Sequence, residues 1–145
     1  MSQMMVTARP MPCALHSNPP GSVPRRILVV DDDLLCRNGL QRSLRRAGFE
    51  VFQAGDGREA LALLDGSGIE LVITDLFMPR MDGLELILRL AQGSSPPRLI
   101  AVTGAFDAEG LLCSATERGA DEILVKPFSE GELLACVRRL LDHAA

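Results

Sequence analysis

Five short β-rich runs alternate with amphipathic stretches between residues 26 and 142, and this alternation predicts an α/β fold. Two further observations agree. The run before Asp75 is continuously apolar, with Ile69, Leu71, Val72 and Ile73, as a strand buried on both faces must be. Successive runs also recur every ~20 to 25 residues, the length of a βα unit in a parallel sheet with right-handed crossovers. Together they predict five βα units in a three-layer sandwich, helices covering both faces of the sheet. At 145 residues, with 47% hydrophobic and 23% charged, the chain suits one buried core and one domain.

Residues 1–24 precede the pattern. They carry Pro10, Pro12, Pro19, Pro20 and Pro24 among Ser, Asn and Gly with no sustained period, and read as a disordered tail before a domain at 25–145. Met4, Met5 and Met11 leave a later start open. The strands are expected at 26–31 (RILVVD), 50–54 (EVFQA), 69–75 (IELVITD), 98–103 (RLIAVT) and 122–125 (EILV).

Helical patterns lie between them. Residues 34–46 place Leu40, Leu44 and Ala47 on one face, and Gly48 stops the helix. Residues 57–65 and 83–92 follow Asp56 and Asp82, each with a glutamate three residues later, as in a capping box. The last helix is the best signed. Ser129 and Glu132 form an S-x-x-E box, Phe128 and Leu133 occupy the staple positions, and Leu133, Leu134, Val137, Leu140 and Leu141 form the apolar stripe.

Several functions are disfavoured at once. A net charge of -4 without a basic run does not suit nucleic acid, since Arg25-Arg26, Arg45-Arg46 and Arg138-Arg139 are isolated pairs. No apolar stretch reaches the ~20 residues of a membrane span. Cys13, Cys36, Cys113 and Cys136 lack C-x-x-C spacing, and His16 and His143 lie near the termini, so no zinc site is expected. Cys36, Cys113 and Cys136 fall in helical segments and read as small core residues. No signal peptide is evident, which agrees with a reducing cytosol. DDDLLC lacks the D-x-D-x-D-G pattern of an EF-hand, and Met78 and Met81 read as loop packing.

In open parallel sheets, ligands gather beyond the carboxyl ends of the strands near the point where strand order reverses. Those ends are chemically rich here. The first offers Asp31-Asp32-Asp33, the third Asp75, the fourth Thr103-Gly104 and the fifth Lys126-Pro127, while the second ends in Ala54-Gly55. An order 2-1-3-4-5 would put the mute strand at the edge and gather the others. Clustered carboxylates must take up protons or share a cation, and all-oxygen ligation favours Mg²⁺. An ionised aspartate can attack phosphorus, while a lysine and a hydroxyl hold the phosphoryl oxygens. Lys126 is the only lysine against fourteen arginines. Asp33 reads as a helix cap.

ILVVDDD, ITDLFMPRMDG, AVTGA and VKPF, in this order and over residues 26 to about 142, resemble the receiver domains of bacterial response regulators, the phosphate-accepting half of two-component signalling. The resemblance implies a flavodoxin-like doubly wound fold. It implies that Asp75 is the phosphoacceptor, with Mg²⁺ held by Asp32 and Asp75 directly, by Asp31 mostly through water and by the backbone carbonyl of Phe77. Thr103 and Lys126 would hold the phosphoryl group, the Lys126-Pro127 bond would be cis, and Pro79 with Gly83 would shape the covering loop. The implied partners are a sensor histidine kinase or histidine phosphotransfer protein as donor and an unidentified protein target, all in the cytoplasm.

One departure stands out. Receiver domains usually carry Tyr or Phe three residues before the lysine, where this chain has Ile123, and the chain has no Tyr or Trp. A ring-flip switch is therefore excluded there, and an aliphatic shift of the face from 104 to 125, with Thr103 and Ile123 as its movers, is expected instead. Phe77 is expected to shield an acyl phosphate from water. A haloacid-dehalogenase-type phosphatase uses similar groups, but its nucleophile follows the first strand in D-x-D, whereas here the acid pair comes first, and no cap domain to hold a substrate is read in this sequence. A docking pseudo-receiver would not need every catalytic residue type. With no helix-turn-helix after residue 142, the chain is expected to be a stand-alone receiver acting through protein contacts, unless it is part of a longer protein.

Overall fold

A computed structural model of the chain describes residues 23–76, 83–104 and 115–142. In chain order these residues form β1 (Arg26–Val30), α1 (Leu34–Arg46), β2 (Glu50–Ala54), α2 (Gly57–Leu64), β3 (Leu71–Asp75), α3 (Gly83–Ala91), β4 (Arg98–Gly104), a helical stretch at 115–118 (α4), β5 (Glu122–Lys126) and α5 (Glu130–Asp142). The five strands are parallel, in the order β2-β1-β3-β4-β5. This is the flavodoxin-like, doubly wound arrangement, with the mute strand β2 at one edge.

The central strands are buried on both faces because helices cover both. Leu28, Val30, Val72, Leu99 and Ala101 point to one side, against Ala60, Leu86, Ile87 and Ala115 of α2, α3 and α4. Ile27, Val29, Ile73, Ile100 and Val102 point to the other, against Leu44 of α1 and Leu133 and Val137 of α5. Each fully buried Leu or Ile stabilises the fold by roughly 1.5–3 kcal/mol, so both layers are strongly held. Strand alternation then sorts the strand-end residues. Asp31, Asp75 and Lys126 are in phase with the α1/α5 side, and Thr103 and Ile123 with the opposite side.

Helix ends follow the local chemistry of the sequence. Ser129 and Glu132 exchange backbone-to-side-chain hydrogen bonds, both 3.0 Å, and Phe128 and Leu133 pack in the same cluster. Asp56 caps α2 by accepting from the Glu59 N–H at 2.9 Å, whereas the Glu59 carboxylate reaches back to Gly55 rather than to the cap. At the end of α1, Gly48 adopts φ of 100° while the N–H groups of Gly48 and Phe49 donate to the carbonyls of Arg45 and Leu44. That closes a Schellman motif, and a residue with a Cβ would be strained there.

The boundaries shift slightly from expectation. β1 ends at Val30, one residue early, because Asp31 keeps one ladder bond, its N–H donating to the Ala54 carbonyl, while its side chain turns into the strand-end cluster. β3 begins at Leu71, although the Glu70 N–H still donates to Arg26, and β4 and β5 each run one residue further, to Gly104 and Lys126. Cys136 is a core residue, but Cys36 is not. It is half-exposed in the first turn of α1 and donates its thiol to Asp33 at 3.3 Å. Cys13 and Cys113 lie outside the described residues, as does the Asp82 cap expected before α3. Among the described residues no helix is long and apolar enough to cross a membrane.

Candidate functional site

Beyond the carboxyl ends of β1, β3 and β5 the chain brings three acids and a lysine together. One carboxylate oxygen from each of Asp31, Asp32 and Asp75 lies within 4.8 Å of the other two. Lys126 Nζ donates to Asp75 Oδ2 at 3.2 Å and lies 3.7 Å from Asp31 Oδ2. The arrangement is set by the sheet register, which aligns Asp75 with Val102 and Gly104 with Lys126. The Lys126–Pro127 peptide bond is cis.

Burial differs across the cluster. Asp31 is 2% exposed and Asp32 is exposed. Burial pushes the Asp31 carboxyl above its ordinary range, with Asp75 and Asp32 adding to the shift; the Asp33 N–H, donating to Asp31 Oδ1 at 2.9 Å, and the charge of Lys126 only partly oppose it. Burial alone would lower Lys126, but the charges of Asp75 and Asp31 and the hydrogen bond to Asp75 outweigh it and hold the ammonium above its usual value. Carboxylates gathered this closely repel one another and favour a shared cation. Three carboxylate oxygens with no sulfur or imidazole among them suit a hard divalent cation such as Mg²⁺.

Thr103 is fully buried at the end of β4, and its hydroxyl donates to the Gly104 carbonyl at 3.3 Å rather than into the acidic cluster. Ile123 pairs with Ala101 in the β4–β5 register and packs, half-buried, against the cluster under α2, α3 and α4. Asp33 is a cap, accepting from the Leu35 N–H at 3.0 Å. The Cys36 thiol and that N–H hold the Asp33 carboxyl below its ordinary range. Phe77, Met78, Pro79, Met81 and Ala105 lie outside the described residues, so Phe77 as a metal ligand and Pro79 as a loop-shaping residue have no structural account here.

Gly83 has one. A Cβ built on it would lie 2.2 Å from the Asp75 carbonyl oxygen and 2.7 Å from Leu76 Cα. The first turn of α3 therefore rests directly on the backbone that carries Asp75, and the Gly83 N–H donates to the Leu76 carbonyl. Sequence reasoning missed one residue near the site. Arg37 Nη1 donates to the Asp31 carbonyl at 2.7 Å, a contact with no signature in linear spacing.

A family model described as the response regulator receiver domain matches residues 27–138. The chain is 43% identical over 119 residues to response regulator MprA of Mycolicibacterium vanbaalenii, covering 82% of this chain and 51% of that protein, so it spans about half the length of this curated relative. Among solved structures, the chemotaxis response regulator CheY4 of Vibrio cholerae superimposes with a TM-score of 0.75 at 30% identity, covering 81% of this chain and 99% of that one. A CheY-like receiver domain protein from Methanospirillum hungatei gives a TM-score of 0.78 at 29% identity over 83% of this chain and 95% of that one.

Proposed function

The chain belongs to the response regulator receiver domain family of two-component signalling, and on that premise we propose that it accepts a phosphoryl group on Asp75 from a phosphohistidine. The observation that carries this reading is the contact of Lys126 Nζ with Asp75 Oδ2 at 3.2 Å, inside a cluster that also holds Asp31 and Asp32. In the reaction an Asp75 carboxylate oxygen attacks phosphorus, the P–N bond to the donor imidazole breaks, and its electron pair stays on the ring nitrogen, which then takes up a proton. An acyl phosphate results.

Each residue has a physical task. β3 fixes Asp75 at its tip, so little conformational freedom is lost on reaching the attacking geometry. Asp31, Asp32 and Asp75, with the Phe77 carbonyl, would hold Mg²⁺, which when bound offsets charge on the phosphoryl oxygens. Lys126 lies beside Asp75, placed to pass its N–H donors from the carboxylate to the transferred group. Thr103 reaches that group only by giving up its bond to Gly104 and turning toward Asp75. That movement vacates space on the side where Ile123 lies, and repacking there would alter the face offered to a target protein.

The donor in this reading is a sensor histidine kinase or a histidine phosphotransfer protein, the setting is the cytoplasm, and the target is another protein. Incubating the chain with candidate histidine kinases and radiolabelled ATP tests it. Label should pass to the wild type and not to Asp75→Ala; equal labelling of both would reject Asp75 as the acceptor.

A further inference from the structure

The geometry points to Arg37 as a positioning residue for the acid pair, holding the peptide between Asp31 and Asp32 in the orientation that a divalent cation needs. The inference rests on the reading of Asp31, Asp32 and Asp75 as a cation site. The Asp31 carbonyl belongs to the peptide bond that joins the two acids, so whatever anchors this oxygen sets the direction in which Asp32 leaves Asp31. Arg37 Nη1 donates to it at 2.7 Å.

The guanidinium is itself held. Arg37 Nε donates to Gln53 Oε1 at 3.1 Å, and the Gln53 amide donates to Asn38 Oδ1 at 3.3 Å and to Gln41. Gln53 is fixed on the edge strand β2, opposite Val29 of β1. Gly55 leaves room for the arginine, since a Cβ there would lie 3.2 Å from Arg37 Nη1. The N–H of Asp31 is meanwhile tied to Ala54 and its Oδ1 to the Asp33 N–H. With Arg37, both peptide groups of buried Asp31 are anchored, and exposed Asp32 inherits their orientation. Groups that orient ligands in this way typically change metal affinity by roughly 10- to 100-fold when removed.

The sign of the effect separates positioning from charge. A guanidinium acting through its charge alone would repel Mg²⁺, so removing it would tighten binding. Positioning predicts the reverse. Mg²⁺ binding to the full chain is measured by titration calorimetry for wild type, Arg37→Gln, Gln53→Ala and Asp32→Asn, together with amide nitrogen shifts of residues 31–33 without metal. Arg37→Gln should weaken Mg²⁺ binding about 10-fold or more and move the Asp32 amide. Gln53→Ala, which keeps the arginine's charge but frees its fork, should weaken binding by a smaller factor and serves if Arg37→Gln fails to fold. Unchanged or tighter binding in folded Arg37→Gln, or in folded Gln53→Ala should Arg37→Gln not fold, would overturn the inference while leaving the cation site standing. Wild type and Asp32→Asn binding alike would overturn the cation site and the inference with it.

Discussion

Lys126 Nζ stands 3.2 Å from Asp75 Oδ2 and 3.7 Å from Asp31 Oδ2, so one ammonium serves two carboxylates that burial and mutual repulsion set against each other. This geometry predicts two opposite consequences of removing it. In Lys126→Ala, phosphorylation of Asp75 should slow by ~10²- to 10³-fold, the scale for losing one preorganised donor to a developing charge. Mg²⁺ binding should hold or tighten, because a competing cation has gone. Lys126→Arg should recover little of the rate, since a planar fork cannot take the place of a compact ammonium between two acids. Rates with a small-molecule phosphodonor decide it; wild-type speed in either variant counts against the role given to Lys126.

The approach of Gly83 to the Asp75 backbone makes a sharper structural prediction. A methyl group in Gly83→Ala would stand 2.2 Å from the Asp75 carbonyl oxygen, and neither β3 nor α3 can yield without moving Asp75. Overpacking of this kind costs ~1–3 kcal/mol or more. Denaturant melts should show that loss, and Mg²⁺ affinity should fall in parallel because the Asp75 carboxylate shifts. A variant with unchanged stability and affinity would mean that α3 can slide freely over the strand.

Much of this was legible in the sequence because the strand ends carry the chemistry. A parallel sheet brings its carboxyl ends together whatever the helices between them contain, so Asp31, Asp75 and Lys126 were placeable once five strands were recognised. The mute end of strand two correctly marked an edge strand. What resisted reading were contacts made across the sheet by long side chains or by backbone. Arg37 reaching the Asp31 carbonyl and Gly83 resting on Leu76 depend on separations of a few ångströms, which no periodicity encodes. Cys36 departs from the core reading because it lies in the first turn of α1, where its thiol donates to the cap residue Asp33. The bond of the Thr103 hydroxyl to the Gly104 carbonyl likewise has no signature in linear spacing.

Cys136 supplies a test in pH. It is 2% exposed, and burial, with Glu122 adding, pushes its thiol up to about 11. An unfolded chain ionises the same thiol near ~8.5. Below that value the contribution of Cys136 to stability is fully present; as pH rises toward about 11 the unfolded state alone releases the proton, and the contribution is lost. Urea unfolding of wild type and Cys136→Ala should therefore show a gap in stability that narrows by up to about 3 kcal/mol between neutral pH and pH values near the folded-state pKa of about 11. A constant gap would show that the thiol ionises no later in the fold than outside it.

The last prediction concerns the switch. Ile123 sits in phase with Thr103 on the side of the sheet covered by α2, α3 and α4, half-buried against residues that include Ala101 and Ala115. A branched aliphatic chain cannot flip between a buried and an exposed state as a ring does, because it is short and its χ1 is stiff. If Thr103 leaves Gly104 for a phosphoryl group, the freed volume must be filled by small translations of Ile123 and the neighbouring α4 residues. Adding beryllofluoride with Mg²⁺, a phosphoryl mimic at Asp75, should therefore shift the methyl resonances of Ile123 and the amides of 115–125 without a large change in solvent exposure there. Ile123→Ala should leave Mg²⁺ binding intact, cost about 1–2 kcal/mol, less than a fully buried site would, and shrink the response at 115–125. Near-identical spectra with and without the mimic would rule out a shift at Ile123 as the response to a phosphoryl group at Asp75.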